Sequence, residues 1–262
     1  MSNYWAQRQR DSIYNRQLKI AEEQLAKEYQ RCFEATYGKL SALYDEITIA
    51  SGDGTLLISD LYKYNRYYEL MNVLNSNLNK LGQKEIEIYE DNLKRMYLTN
   101  SQLIIDELGY YKGSGVYANE NSIRTAIDAV WCQDGKHWSG RIWTNKAALQ
   151  ERVKKGMVDC IARGVSKDEL VKQLQKDFDV GFREADRIAR TELTYIQNQA
   201  TYDKYKEAGI EKYEFLAELD DRTSDICRAT HGKVFRMNDA AVGVNYPPLH
   251  PNCRSTVLAV ID

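Results

Sequence analysis

Apolar residues recur every three to four positions from about Asp11 to Ile47. Tyr14, Leu18, Ala21, Leu25, Tyr29, Cys32, Tyr37, Leu40, Tyr44 and Ile47 form one stripe, with Arg, Lys, Glu and Gln between them. That period predicts a long amphipathic helix, whose length suits a hairpin, a bundle or a coiled-coil arm. Ser51-Gly52-Asp53-Gly54 is expected to break it. Ser59-Asp60 then caps a second stretch through Leu61, Tyr64, Tyr68, Met71 and Leu74, which Gly82 closes. A third runs from about Lys84 to Leu108, before a loop marked by Gly109, Gly113 and Gly115. A shorter helix is predicted over Ile123–Trp131 and another over Arg141–Arg163, ended by Gly164. Ser166 and Glu169 have the spacing of a capping box, opening a helix that carries Leu170, Leu174 and Phe178. Gly181 is expected to end that helix. The next runs from about Phe182 to Ala208, with Gly209 in the C-cap position.

The period then changes from helical to alternating. Tyr213, Phe215 and Ala217 face one way and Glu214, Leu216 and Glu218 the other, as in a half-buried strand. Lys233–Arg236 is a second strand candidate. Thr256–Ile261, a continuous β-branched run, is expected to be a central strand covered on both faces. The fold class is therefore mainly α: a long-helix N-terminal body followed by a small C-terminal α+β module with few short strands. The expected division is 1–140 as helical arm or body and 141–262 as a second module, with helices over 141–209 and the β part over 210–262.

Composition narrows the function classes. The chain has 262 residues, 28% charged, with a formal net charge of −2. That balance gives no basic face for bulk nucleic-acid binding. No run approaches the ~20 apolar residues that span a bilayer, and Met1–Trp5 lacks an apolar signal core; the chain is expected to be made and used in a cytosol. The prolines are Pro247, Pro248 and Pro251, so nothing upstream forbids long helices. The 19 tyrosines suit half-buried helix faces and subunit contacts, with an apolar ring and a wet hydroxyl.

The densest chemistry lies between Asp220 and Ser255. Cys227 and His231 are four apart, and His250 and Cys253 three apart. Both spacings can place two soft ligands on one ion, and Cys₂His₂ suits tetrahedral zinc. A small module would gain folding energy from such a staple. The competing reading is a metal-free loop: Cys227 and Cys253 as buried neighbours, His250 hydrogen-bonded within the proline-rich turn. His137, between tryptophans, reads as a packed residue.

The string from Tyr213 through Asp220-Asp221-Arg222-Thr223-Ser224-Asp225-Ile226-Cys227, then His231-Gly232-Lys233-Val234-Phe235, then Pro247-Pro248-Leu249-His250-Pro251-Asn252-Cys253-Arg254, closely resembles the signature of the phage Mu protein F-like head-morphogenesis family of minor head proteins. Arg190-Thr191-Glu192 resembles the family's R-T-E helix. The strong resemblance covers about Trp143 to Ile261. Many relatives carry cysteines where Ser224 and Ser255 stand, and an Asp where His231 stands, so the resemblance does not carry His231 over as a ligand.

The resemblance implies a structural, non-enzymatic component of a tailed-phage virion, inside the head near the portal and in the host cytoplasm during assembly. It implies contact with portal protein or capsid subunits, weak contact with packaged DNA, and self-association. It makes Arg190 and Glu192 structural, each pairing with a different neighbour because one helical turn cannot place both on one face. Asp220 and Arg222 would brace the turn before Cys227. Arg254 would neutralise Asp220 or Asp225, and Gly232 and Pro248 belong to the same structural motif. The competing function is a metal-dependent nuclease or another head-associated enzyme, using His231, His250 and Asp225.

Overall fold

The computed structural model describes residues 3–51, 66–112, 119–132, 134–163 and 165–261. Among these the chain forms α1 (Asn3–Ser51), α2 (Arg66–Lys112), α3 (Glu120–Ile127), α4 (Trp138–Ala162), α5 (Lys167–Glu207), β1 (Lys212–Leu216), α6 (Asp225–Thr230), β2 (Val234–Arg236), a 3₁₀ turn (Met237–Asp239) and β3 (Thr256–Val260). The mainly α class with a small C-terminal α+β module is what the pattern predicts. The breaker at 52–54, the cap at Ser59-Asp60, Leu61, Tyr64, Gly113, Gly115 and Gly164 lie outside the described residues, as does the side chain of Ile47. No described helix is long and apolar enough to cross a membrane.

The chain groups into two compact units. One comprises 23–87 and 139–186; the other comprises 1–22, 88–138 and 187–262. The expected segments 1–140 and 141–262 each contribute to both units.

The first unit is built of helical segments. Leu25, Leu40, Leu43, Leu70, Leu74, Leu149, Leu174 and Phe178 are buried in it. Phe33 and Tyr29 pack edge-on against Phe178 and Phe182, with ring centroids 5.7 Å apart in each pair. Tyr68 points outward at 62% exposure, whereas Leu70 and Met71 are buried. Of the described residues on the predicted stripe, Met71 and Leu74 are buried as expected and Tyr68 departs from it.

Two glycines read as helix stops lie inside helices. Gly82 does not close a helix: α2 runs through it, because a Cβ at Gly82 would lie 2.6 Å from the Trp143 ring. Gly181 likewise sits within α5, where a Cβ would be 2.9 Å from Leu149 and 3.2 Å from Tyr29. Both positions are glycine because a neighbouring side chain approaches the backbone closely, not because the helix ends. The Tyr29 hydroxyl donates to the Gly181 carbonyl at 2.9 Å. A buried Lys146–Glu85 ion pair adds a charged contact, with Tyr29 beside the ammonium.

The second unit holds the sheet. β1 is central, pairing antiparallel with β2 through Tyr213↔Phe235 and with β3 through Phe215↔Val257. β3 is thus an edge strand, correcting the expectation that it is central. It is nevertheless buried at Thr256, Val257 and Leu258, which is why its sequence reads as doubly covered.

An edge strand leaves a row of backbone groups unpaired, and α5 and α1 satisfy them. Thr194 Oγ1 donates to the Cys253 carbonyl at 2.7 Å and Asn198 Nδ2 to the Ser255 carbonyl at 3.1 Å. The buried Arg10 donates to the Val257 carbonyl, and the Ala259 N–H donates to Tyr205 Oη at 2.9 Å. Thr191, Thr194, Asn198 and Tyr205 are spaced three, four and seven apart, which puts them on one helical face. Arg10 also donates to Glu107 at 2.7 Å and to Tyr205 Oη at 2.8 Å.

The core of this unit gathers Ile104, Leu108, Tyr205, Ile210, Tyr213, Met237, Tyr246 and Val257. Its buried tyrosines reach polar partners: Tyr246 donates to the Asn198 carbonyl at 2.8 Å and Tyr97 to Asp203 at 2.5 Å.

The other boundaries follow local rules. Ser166 caps α5 by accepting from the Glu169 N–H. After Glu207, Gly209 takes φ +69°, with Ile210 N donating to the Tyr205 carbonyl at 2.9 Å and Gly209 N to that of Lys206 at 3.1 Å. That pair of bonds is a Schellman ending. α3 stops at Ile127, short of the predicted Trp131, whose indole instead leaves the helix and donates to Glu192.

Candidate metal centre

β1 delivers the chain to a tight turn over 218–223. Asp220 accepts from the Arg222 N–H at 2.8 Å, and its own N–H donates to Thr223 Oγ1 at 2.8 Å. Thr223 Oγ1 donates back to the Glu218 carbonyl. Such side-chain-to-backbone bonds are what Asp and Thr offer a turn. Arg254 clamps it from the far loop, bonding the two Asp220 oxygens at 2.5 and 2.8 Å and Glu218 at 2.5 Å. The Arg254 guanidinium holds the Asp220 carboxyl well below the usual carboxylate range, and the Arg222 N–H adds to this. Arg254 therefore pairs with Asp220 and not with Asp225, which is the exposed first residue of α6. Arg222 is itself largely exposed, reaching Asp220 only at 3.5 Å.

Ser224 is the N-cap of α6, its hydroxyl accepting from the Cys227 N–H. α6 thereby presents Cys227 inward. Gly232, at φ +77°, turns the chain back so that its N–H donates to the Phe215 carbonyl at 2.8 Å. The second half of the site comes from 247–255. It contains the cis Pro247–Pro248 bond and is pinned to α5 by Asn252 N donating to Thr191 Oγ1 at 3.1 Å. Cys253 is buried beside Phe215, Ala217 and Cys227.

These two pieces bring Cys227, His250 and Cys253 together. Their ligand atoms all lie within 4.8 Å of one another. Cys227 Sγ is 3.7 Å from Cys253 Sγ and 3.2 Å from His250 Nε2. Ligand bonds of ~2.3 Å to sulfur and ~2.05 Å to nitrogen in a tetrahedron imply separations of about 3.8 and about 3.6 Å. The sulfur pair already has that spacing, and the Cys227–His250 pair lies a few tenths of an ångström inside it.

The thiols differ. Cys253 is pushed down to about 6, first by the Cys227 thiol donating to it, then by the Ser255 hydroxyl and backbone groups of Leu249 and Ser255. Cys227 is pushed up, by that same pairing and by burial. Cys253 is thus the more acidic thiol of the pair, and a metal takes the thiolate form. His250 Nδ1 faces the Pro251 carbonyl at 2.8 Å, which orients the ring and leaves Nε2 toward the sulfurs.

His231 is not brought into this group. Its Nδ1 accepts from the Ala217 N–H at 3.1 Å, a bond that ties α6 to the end of β1. It stands four residues after Cys227, at the C-terminal cap of α6. Arg190 pairs with Glu22 and Glu192 accepts from Trp131 Nε1 at 2.9 Å, so the two face different neighbours. Sequence reasoning missed the Thr191, Thr194, Asn198 and Arg10 contacts that hold this site's loop and strand. A faint signal existed, namely polar residues at helical spacing on a helix with no polar face to spare.

Residues 151–258 match the family described as Phage Mu protein F like protein. The chain is 26% identical over 142 residues to the NAD(+)--arginine ADP-ribosyltransferase EFV of Enterococcus faecalis, covering 49% of this chain and 29% of that protein. It is 24% identical over 112 residues to an uncharacterized protein of Haemophilus influenzae, covering 43% of this chain and 25% of that one. The chain thus spans under a third of the length of these relatives. No solved structure matches it.

Proposed function

We propose that this chain, whose residues 151–258 match the phage Mu protein F like family, is a structural minor head protein of a tailed bacteriophage. It acts in the virion, inside the head beside the portal, and assists head assembly or DNA delivery. The observation that carries this reading is the family segment itself, which holds the whole clamp of Asp220 and Arg254 and the Cys227–His250–Cys253 group. The partner is the portal protein or capsid subunits, with self-association and only weak contact with packaged DNA, in keeping with a net charge of −2. Co-purification of the full chain with the portal protein of the same phage tests it. A stoichiometric complex is expected; no complex with portal or capsid protein overturns the assembly role.

The same reading places zinc on Cys227, His250 and Cys253. Zinc there would supply a cross-link between α6 and the 247–255 loop, and with it folding energy for a small module. Chelation should lower the melting temperature of the wild type and leave that of Cys253→Ser unchanged. An identical response of both would remove the metal from the account.

A second reading, an enzyme, draws on the name of the Enterococcus faecalis relative. That protein is aligned over 29% of its length, so the shared part is read as a common module and not as a common reaction. Release of nicotinamide from NAD, or plasmid nicking with a divalent metal that His250→Ala abolishes, would favour the enzyme instead.

A further inference from the structure

We propose that the Cys227–His250–Cys253 centre keeps its fourth coordination position free of any protein ligand, and that this position takes an added soft donor, an imidazole nitrogen or a thiolate, beside the Ser224 hydroxyl. The proposal rests on the metal reading above and concerns what this chain's own residues leave open. The group supplies three ligand atoms. Ser224 stands three residues before Cys227, at the spacing from which a second cysteine of a C-x-x-C pair would complete a tetrahedron. Its hydroxyl is already at the centre, 2.8 Å from His250 Nε2, and it accepts from the Cys227 N–H at 3.4 Å.

A hydroxyl is neutral at pH 7, and zinc takes its ligands from thiolate, imidazole and carboxylate. Ser224 therefore stands beside the fourth corner without ligating it. The Ser255 hydroxyl meets the thiols from the interior, bonding both Cys227 and Cys253. Cys227, Cys253 and Ser255 are buried, whereas Ser224 and His250 are half-exposed. The vacant corner is thus on the side that solvent reaches. Three protein ligands with one open position is the arrangement of sites that exchange a ligand; four protein ligands make a purely structural one. Ser224 then becomes a hydrogen-bond partner for whatever donor enters.

The test is a cobalt(II) titration of the full-length apo chain under anaerobic conditions, read by visible absorption. One cobalt per chain is expected, with thiolate-to-cobalt charge transfer from two sulfurs. Adding imidazole should shift the ligand-field bands of the wild type reversibly. In Ser224→Cys the charge-transfer intensity should rise by about half, from two thiolates to three, and imidazole should no longer move the bands. Ser224→Asp keeps an N-cap acceptor and offers a carboxylate, so it should also become insensitive to imidazole and serves if the cysteine variant does not fold. Wild-type cobalt bands that ignore imidazole would overturn the open position while leaving the metal reading intact. Variants that still respond would remove Ser224 from the fourth corner. No cobalt binding at all would overturn the metal reading, and this proposal with it.

Discussion

Among the described residues, 23–87 and 139–186 form helices and no strand, whereas 1–22, 88–138 and 187–262 combine helices with a three-stranded sheet. The two solve different problems. A helix pairs its own backbone except at its ends, so the first unit needs only side-chain packing, and its buried Lys146–Glu85 pair joins one side chain to another. A short sheet leaves an edge, so the second unit spends buried polar side chains on backbone: Arg10, Thr194, Asn198 and Tyr205 all serve β3 or the loop before it. A buried charge can thus mean two things, and they should respond differently to removal.

The largest expected effect separates those meanings. Lys146→Met and Arg10→Met should each cost about 3–5 kcal/mol in urea unfolding, because each strands a buried partner. The double change Glu85→Leu with Lys146→Met should return close to wild type, since an apolar pair of similar volume replaces an ion pair. Arg10→Met with Glu107→Leu should not recover. The Val257 carbonyl would still lack its donor, a deficit of about 1–3 kcal/mol. Full recovery of that second double would make Arg10 an ordinary ion-pair residue.

Asn198→Ala should cost about 1–3 kcal/mol by removing one donor from the edge of β3, with amide exchange at Ala259 accelerated if the strand loosens. In the helical unit, Gly181→Ala should cost about 1–2 kcal/mol, because Leu149 and Tyr29 are buried and cannot move away. Gly82→Ala should be near neutral: Trp143 is 38% exposed and can swing aside, and alanine favours the helix. Equal losses at both glycines would contradict the role given to exposure.

A pH-dependent effect concerns Asp11. Burial and the charge of Glu218 push its carboxyl up from 3.8 to about 6, against Arg8, Arg10 and Arg254. The folded chain therefore holds more protons than the unfolded one between about pH 4 and 6, and stability falls as pH rises through that window. Asp11→Asn should raise stability at pH 7.5 by ~1 kcal/mol, a figure discounted because the group is partly in water, and should flatten the pH dependence. Thermal melts at pH 4.5 and 7.5 would show it; a variant less stable at pH 7.5 would mean that the arginines outweigh burial.

Part of this was legible beforehand. The helical stripes, the alternation at Tyr213–Phe215, the cap at Ser166 and the three-residue spacing of His250 and Cys253 all follow from local spacing. The glycines were misread because a residue that weakens a helix looks locally like its end. Only the approach of Trp143 to Gly82, and of Leu149 and Tyr29 to Gly181, explains them. β3 was misplaced because a run of buried residues looks the same at an edge as in the middle once helices cover it. His231 lay at ligand spacing from Cys227, but its Nδ1 accepts from the Ala217 N–H and it does not join Cys227, His250 and Cys253.

By itself the sequence determined the periodic elements, since helix and strand propensity and capping act within a few residues, and it determined which soft donors were available to a metal. Tertiary structure decided which of those donors meet, which strand is central and why Arg10 is buried. These depend on residues well separated in the chain, 26 positions for Cys227 and Cys253 and 247 for Arg10 and Val257, and no local pattern encodes a contact whose partner is fixed only when the chain has folded.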